Sequence, residues 1–345
     1  MPLQVAIGHA SLTGPRERNE DFCGVATPVG LELENKGVLA AVADGIGGHK
    51  GGREAAEYTV RGLLSDYFAT PDTWSVPRAI ETVTTALNRW VIAEANRNAE
   101  LAGMATTLSA IVLRGRRFYT AHIGDSRIYR LQEGQLRPLT VDHTWEHPEL
   151  NNVLSRAVGL DPRVLMDFAD GELAVNDRFL LVSDGVWGVL PDALMAEVLL
   201  DHPEPQAAAA ALTSLALAQG GHDNASAVVV DILAIPPANL RDSLESAVSL
   251  PLPHRLKAGH ELDGLLVDEV LHDARETLLY RVHNPRNGQQ LVLKTLQPAL
   301  AGDLGATAAL LMEEWRARRV VSPFFPQVVP SAQRSCLYYL MTWYA

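Results

Sequence analysis

Residues 37–49 read Gly-Val-Leu-Ala-Ala-Val-Ala-Asp-Gly-Ile-Gly-Gly-His. A run of small and β-branched apolar residues stops at Asp44-Gly45, the pattern of a strand buried on both faces that ends in a tight turn carrying an acid. The same device recurs outward from this stretch. Arg16-Glu-Arg-Asn-Glu-Asp21 ends in an acid before a short apolar segment, Ser183-Asp-Gly185 follows the apolar run 179–182, and Asp223-Asn224 precedes the run 225–232. Aspartates brought to one place from the ends of several strands are what a fold needs to hold hard divalent cations in cages of oxygen. Glycines beside them, Gly45 and Gly185, let backbone approach closely, and a glycine carbonyl can itself serve as an oxygen ligand.

Further apolar runs lie at 108–113, 118–123 and 128–131, most closed by Gly, Asp or Asn. Between the runs, Ile80, Val83, Leu87, Trp90 and Val91 recur at the spacing of one buried helix face, which predicts a helix over 76–101 with Gly103 as its stop. A second, alanine-rich helix is predicted over 206–219, closed by Gly220-Gly221. Many short strands with two early helices and a late one argue for packed sheets flanked by helices rather than an alternating parallel α/β fold.

A length of 345 residues, 47% apolar and 20% charged, leaves room for two globular domains. Pro236-Pro237 and then Pro251 and Pro253 bracket a polar stretch, so the expected organisation is a domain over 1–235, a linker over 236–258 and a second domain over 259–345. No run approaches eighteen apolar residues and no basic start precedes an apolar core, so neither a membrane span nor a signal peptide is expected. Two distant cysteines, Cys23 and Cys336, make no disulfide framework, which points to a reducing, cytoplasmic compartment. Residues 1–235 hold 18 Lys and Arg against 30 Asp and Glu, a balance of −12, while residues 236–345 hold 11 of each. The excess negative charge therefore sits with the aspartate motifs, where it repels nucleic acid and attracts cations.

Hydrolysis of a phosphate monoester calls for a nucleophile, neutralised phosphoryl oxygens and help for the leaving alkoxide, and two divalent cations about 3.5–4 Å apart supply the first two. Seven strings carry a resemblance to that chemistry: Arg-x-x-Asn-Glu-Asp (16–21), Asp-Gly-Ile-Gly-Gly-His (44–49), Gly-Met-Ala-Thr-Thr (103–107), Gly-Asp-Ser-Arg (124–127), Thr-x-Asp-His-Thr (140–144), Ser-Asp-Gly (183–185) and Asp-Asn (223–224). In this order they resemble the metal-dependent protein phosphatases of the type 2C family, bacterial branch. The resemblance implies an α+β fold of two antiparallel sheets packed face to face with helix pairs on both outsides. It also implies two Mn2+ or Mg2+ ions and a phosphoserine or phosphothreonine protein as substrate. Asp44 would bridge the ions, the Gly45 carbonyl would join one, and Asp184 and Asp223 would complete the other. Asp21 would hold metal-bound waters, Arg16 the substrate phosphate, and His49 would donate a proton to the leaving oxygen, with a metal-bridging water as nucleophile. Arg16 is equally close in sequence to Glu20 as an ion-pair partner. Asp125 would help hold a third ion, or else would pair with Arg127. A phosphoprotein-sensing module with weak or no turnover is the non-catalytic alternative.

Two departures from the family pattern stand out. Gly188 occupies the position where an acid usually follows the Ser-Asp-Gly motif, which weakens the case for a third ion. Only residues 145–151 separate Asp-His-Thr from Asn152-Val-Leu-Ser-Arg-Ala-Val-Gly159, so the family's mobile flap is nearly absent and an open groove is expected.

In the second segment, the apolar run Leu291-Val-Leu-Lys-Thr-Leu296 places Lys294 on a strand, and Glu313 follows on a predicted helix suited to pair with it. With Ser322-Pro-Phe-Phe-Pro and Leu337-Tyr-Tyr-Leu-Met-Thr-Trp-Tyr344 downstream, residues 259–345 resemble the small lobe of a protein kinase, a small antiparallel sheet plus helix, as in bacterial phosphatase–kinase fusions. Lys294 and Glu313 would be its ATP-lobe pair. The glycine-rich loop is replaced by His272-Asp-Ala-Arg-Glu-Thr277. No His-Arg-Asp or Asp-Phe-Gly string follows, so kinase activity is not expected and a cognate large lobe in a longer chain is an implied partner.

Overall fold

A computed structural model describes residues 2–46, 51–145, 153–237, 250–320, 322, 324–331 and 334–343. It divides into two compact units, Met1–Pro237 and Ala238–Ala345. In the first unit the strands are β1 (Gln4–Leu12), β2 (Phe22–Ala26), β3 (Val38–Ala43), β4 (Gly45–Ile46), β5 (Ala105–Thr106), β6 (Leu108–Arg114), β7 (Arg117–Ile123), β8 (Arg127–Gln132), β9 (Gln135–Pro138), β10 (Asp167–Glu172), β11 (Arg178–Val182) and β12 (Ala225–Ala234). Its helices are α1 (Leu31–Lys36), α2 (Gly51–Ala69), α3 (Val76–Arg97), α4 (Asp184–Trp187), α5 (Asp192–Asp201) and α6 (Pro205–Ala218).

Two five-stranded antiparallel sheets result, in the orders β1-β12-β11-β8-β9 and β10-β7-β6-β3-β2. Alternation along each strand explains why both faces are apolar. In β3, Val38, Ala40 and Val42 join Phe179, Leu181, Val228 and Val230 between the sheets, while Leu39, Ala41 and Ala43 face the cluster built with α2 and α3. In β11 and β12, Leu180, Val182, Ala227 and Val229 face the cluster built with α5 and α6. Each sheet is thus covered by helices on its outer face, giving four layers, helix, sheet, sheet, helix.

The pairing register brings the acids together. Phe22 lies opposite Ala43, Val42 opposite Ser109, Leu108 opposite Ile123, Arg127 opposite Val182 and Val182 opposite Ala227. The ends that carry Asp21, Asp44, Asp125, Asp184 and Asp223 therefore share one edge of the sandwich. Three crossings between the sheets occur there, two short ones through residues 13–21 and 124–126 and a long one through residues 139–166.

The helix predicted over 76–101 ends at Arg97, followed by a 3-10 turn over Ala99–Leu101. Trp90, expected on its buried face, is 41% exposed and meets Tyr58 of α2 edge-on, ring centroids 4.5 Å apart. A helix face about 100° wide buries Val83 and Val91 and leaves the next ridge half in water. Of the two early helices expected, α2 is the one whose bounds the sequence does not mark, since it opens on Gly51-Gly52. Those glycines are set by contact: a Cβ at Gly51 would lie 2.7 Å from Met104, and one at Gly52 would lie 2.9 Å from the Gly45 carbonyl.

The second unit is a six-stranded antiparallel sheet. Its strands are β13 (Glu261–Leu262), β14 (Leu265–Asp273), β15 (Thr277–His283), β16 (Gln290–Leu296), β17 (Val328–Val329) and β18 (Tyr338–Thr342), ordered β13-β14-β15-β16-β18-β17. One helix, α7 (Leu304–Ala317), packs Leu310 and Leu311 against Leu296, Leu337 and Tyr339. The opposite face buries Val267, Tyr280, Leu293 and Leu340. No helix among the described residues is long and apolar enough to cross a membrane.

The inter-sheet core fixes how the two sheets face each other, and Phe179 fills it, fully buried with its ring centroid 5.1 Å from that of Phe118. Phe179→Ala should destabilise the first unit by about 3–5 kcal/mol, read from urea unfolding. A loss below 1 kcal/mol would mean that the sheets do not pack through this ring.

Candidate active site

Asp44 follows the last residue of β3, and its backbone is gripped from both sides. Its N–H donates to Thr107 Oγ1 at 2.8 Å, and its carbonyl accepts from Thr106 Oγ1 at 2.8 Å and from the Thr107 N–H at 2.9 Å. Gly45 then pairs with Thr106 across β4 and β5. No side chain fits at Gly45, because a Cβ there would lie 2.2 Å from the Gly52 carbonyl oxygen. Asp184 opens the one-turn helix α4 at the end of β11. Its predecessor Ser183 donates to Asp21 Oδ2 at 2.7 Å and accepts from the Ser226 N–H at 3.0 Å, joining the strand end of one sheet to the acid of the other. At Gly185 a Cβ would lie 1.9 Å from the Asn224 carbonyl oxygen, which explains the glycine after Asp184.

Asp223 sits just before β12 and accepts from the Asn224 N–H at 2.8 Å. Asn224 staples the 13–21 crossing: its Nδ2 donates to the carbonyls of Thr13 (2.8 Å) and Arg18 (2.9 Å), and its Oδ1 accepts from the Glu20 N–H (2.8 Å). Three backbone groups of a loop are thereby satisfied by one amide. Arg16, on that loop, donates to Asp223 Oδ2 at 2.5 Å and to the His222 carbonyl at 3.2 Å. Its ion-pair partner is thus Asp223, across the site, rather than the sequence neighbour Glu20. The Arg16 side chain keeps 57% of its exposure.

The electrostatics are those of crowded acids. Burial, opposed by a hydrogen bond from Ser183 and reinforced by the charges of Asp184 and Asp223, pushes the Asp21 carboxyl up to about 7. Burial, then the charges of Asp21 and Asp184, raises Asp44 well above the ordinary carboxylate range. Asp184 is raised too, by burial first, with the neighbouring Asp44 carboxyl opposing the rise and the charge of Asp223 adding to it. Burial likewise raises Glu20, with Asp223 and Glu54 adding repulsion. Like charges withdrawn from water cannot all ionise without a compensating charge. The buried oxygens Asp21 Oδ1, Asp184 Oδ1 and Glu54 Oε2 have no hydrogen-bond partner among the described residues.

This all-oxygen donor set, with orphaned buried oxygens and a surplus of acids over arginines, fits a hard divalent cation. Among the described residues no three His, Cys, Asp or Glu side chains stand around a common centre in metal-site geometry. The acids crowd one another, and one of them, Asp223, is ion-paired with Arg16.

Asp125 lies in the turn between β7 and β8. Its carboxyl is pushed up to about 7, by burial first and then by the charge of Asp184, so it faces the same acidic group. Arg127 does not take Asp125 as its hydrogen-bonded ion-pair partner; it makes two hydrogen bonds to Asp142, at 2.9 and 2.8 Å. Gly188 follows α4 and donates its N–H to the Asp184 carbonyl at 2.8 Å. His49, residues 146–152 of the shortened flap region, and residues 238–249 of the linker lie outside the described residues.

In the second unit Lys294 of β16 and Glu313 of α7 are brought together, Nζ to Oε1 at 2.5 Å. Tyr339, opposite Lys294 in the β16–β18 register, donates its hydroxyl to the same Glu313 oxygen at 2.7 Å. Burial and the neighbouring Glu313 carboxylate raise the Tyr339 phenol far above its ordinary range. Tyr339 carries no signal in the sequence beyond its place in an apolar run. Thr106, Thr107, Ser183 and Asn224 stand in motif strings read from the sequence, but their pairing with partners mostly more than forty residues distant is not marked there.

Known proteins resemble the first unit. The protein phosphatase 2C family profile matches residues 16–225. A serine/threonine phosphatase of Listeria innocua, stp, is 32% identical over 235 residues, which cover 63% of this chain and 91% of that protein. Among solved structures, the Mycobacterium tuberculosis serine/threonine phosphatase PstP/Ppp is 30% identical with a TM-score of 0.58, over 67% of this chain and 99% of that one. The catalytic domain of PstP, in complex with two manganese ions, is 29% identical with a TM-score of 0.55, over 67% of this chain and 100% of that one. With the acids of four motifs at one edge of a two-sheet sandwich and more than half of its length matched, this chain belongs to the protein phosphatase 2C family.

Proposed function

We propose that the first unit hydrolyses phosphoserine and phosphothreonine in proteins, with Mn2+ or Mg2+ as cofactor. The observation that carries this reading is the convergence of Asp21, Asp44, Asp184 and Asp223, from both sheets, with buried oxygens left unpartnered. When bound, two divalent cations neutralise phosphoryl oxygens and make water nucleophilic at neutral pH. Asp44, the Gly45 carbonyl, Asp184 and Asp223 would hold them, and Asp21, anchored by Ser183, would orient the inner ligands from behind. Arg16 is exposed enough to exchange Asp223 for a substrate phosphate, to which a guanidinium offers two parallel N–H donors. His49 is the proposed proton donor to the leaving oxygen. The two free cysteines favour a reducing, cytoplasmic setting.

For the second unit we propose a kinase-like small lobe, with a kinase large lobe in a longer chain as its partner. The support is the antiparallel sheet with a helix packed on it and the Lys294–Glu313 ion pair joining them. The turn over 272–277 carries none of the glycines that cover ATP phosphates in kinases.

Hydrolysis of p-nitrophenyl phosphate by the purified chain should require Mn2+ or Mg2+, stop with EDTA, and fall by more than about a hundredfold in Asp44→Ala and Asp223→Ala. Wild-type-like turnover in either variant would remove the metal assignment. Arg16→Ala should raise KM several-fold with a smaller change in kcat, because the interaction lost is with the bound phosphate; an unchanged KM would refute that role. For the second unit, Mg-ATP should raise its thermal midpoint and Lys294→Met should abolish the rise. No rise in the wild type would leave the ion pair a structural contact and withdraw the kinase-like reading.

A further inference from the structure

The Gly124–Arg127 turn and helix α4 each carry an acid of the site, Asp125 and Asp184, and one side chain connects them. Trp187 ends the helix that Asp184 begins, and its indole Nε1–H donates to the Asp125 carbonyl at 3.0 Å. Arg127 closes the turn over that ring, its guanidinium carbon 3.4 Å from the ring centroid. The guanidinium is held in turn by its two hydrogen bonds to Asp142 and by a third, from Nη1 to the Tyr129 hydroxyl at 3.1 Å. The rest of the turn is pinned as well: the Gly124 N–H donates to His143 Nδ1 at 3.1 Å, Ser126 Oγ lies 2.6 Å from Thr107 Oγ1, and the Ser126 carbonyl accepts from Ser109 Oγ at 2.5 Å.

The Asp125 and Asp184 carboxyls repel each other, so left to themselves their backbones would part. Packing alone explains a partly buried Trp187 against the cluster under α6, but packing does not need the indole N–H aimed at one carbonyl of an acid-bearing turn. We propose that Trp187 is a positioning residue of the metal site, holding the Asp125 turn against the Asp184 helix so that the two carboxyls meet a cation as one preformed pair. This rests on the reading of Asp184 as a metal ligand. Its chemistry is that of an outer partner fixing the orientation of inner oxygens, where loss of one such contact typically weakens metal binding by about 10–100-fold. Arg127 keeps the ring from turning, through a stacked cation and a bidentate carboxylate clamp.

The test is a double-mutant cycle read by Mn2+ binding, with free Mn2+ followed by electron paramagnetic resonance. Trp187→Phe keeps an aromatic face for Arg127 and removes the N–H donor together with part of the indole's volume. It should weaken Mn2+ binding by about tenfold and raise the Mn2+ needed for half-maximal p-nitrophenyl phosphate turnover in proportion, while kcat at saturating Mn2+ changes much less. In an Asp125→Asn background the same substitution should add nothing further, because the contact acts through the Asp125 carboxyl. Unchanged Mn2+ affinity in Trp187→Phe would overturn the proposal, and so would an equal loss in both backgrounds, the result expected of a purely structural role. Should Trp187→Phe fail to unfold cooperatively, Arg127→Lys, which removes the stacked plane and one bond to Asp142, is measured in its place against the same two outcomes. A wild type that binds no Mn2+ would remove the metal reading itself, a result distinct from a wild type that binds Mn2+ and a variant that binds it equally well.

Discussion

Carboxylates withdrawn from water and set beside one another repel, and the acidic edge of this sandwich is arranged around that repulsion. Asp21 and Asp44 arrive on one sheet, Asp184 and Asp223 at strand ends of the other. Opposite charges alone would not hold them together, since Arg16 is the one arginine ion-paired with any of these four acids among the described residues. Hydrogen bonds from neutral side chains do it instead. Thr106 and Thr107 grip Asp44, Ser183 bridges to Asp21, and Asn224 fastens the crossing that carries Arg16 and Asp21. The sites of Gly45 and Gly185 are so tight that any side chain would force the acid-bearing turns apart. Under the proposed reading a divalent cation would supply what the protein withholds, a compensating charge, and the unpartnered oxygens of Asp21 and Asp184 are the measure of what is withheld.

Much of this was legible in the sequence because its physics is local. An apolar run closed by Asp-Gly reads the same way wherever it stands, so the strands ending at Ala43 and Val182 and the acids Asp44 and Asp184 could be placed from a few residues each. What could not be read depends on distant partners. Thr107 lies 63 residues from Asp44, and Asn224 lies 204 from Glu20, and a threonine or an asparagine carries no mark of which backbone group it will meet. The start of α2 was hidden for a related reason. Gly51-Gly52 argues against a helix by propensity, yet the close approach to Met104 and Gly45 admits nothing larger, so tertiary contact overrides the local preference. Trp90 misled in the opposite direction: its spacing fits the buried face, but its ring finds Tyr58 at the surface.

The second unit repeats the lesson on a smaller scale. A lysine in an apolar strand and a glutamate nineteen residues later are a spacing that a strand followed by a helix can close, and the pair closes at 2.5 Å. Tyr339 joins it only because β18 pairs with β16 in the register that puts residue 339 opposite 294. Register is a property of two strands together, and neither strand states it alone.

The division of the acids between two sheets also says where this fold can tolerate change. Sheets packed face to face lie about 10 Å apart, set by the side chains between them. A binding constellation needs its members placed to within about 0.5 Å. Residues such as Phe179, Val228 and Val42 in the inter-sheet core therefore act on the site without touching it, because altering their volume moves one pair of acids relative to the other. The crossings at 13–21 and 124–126 work against that movement. They are the two short crossings from one sheet to the other at the acidic edge, and both are heavily hydrogen-bonded, the first by Asn224 and the second by Thr107, Ser109, His143 and Trp187. Core packing sets the distance between the sheets, and the two stapled crossings keep that distance the same at the acidic edge.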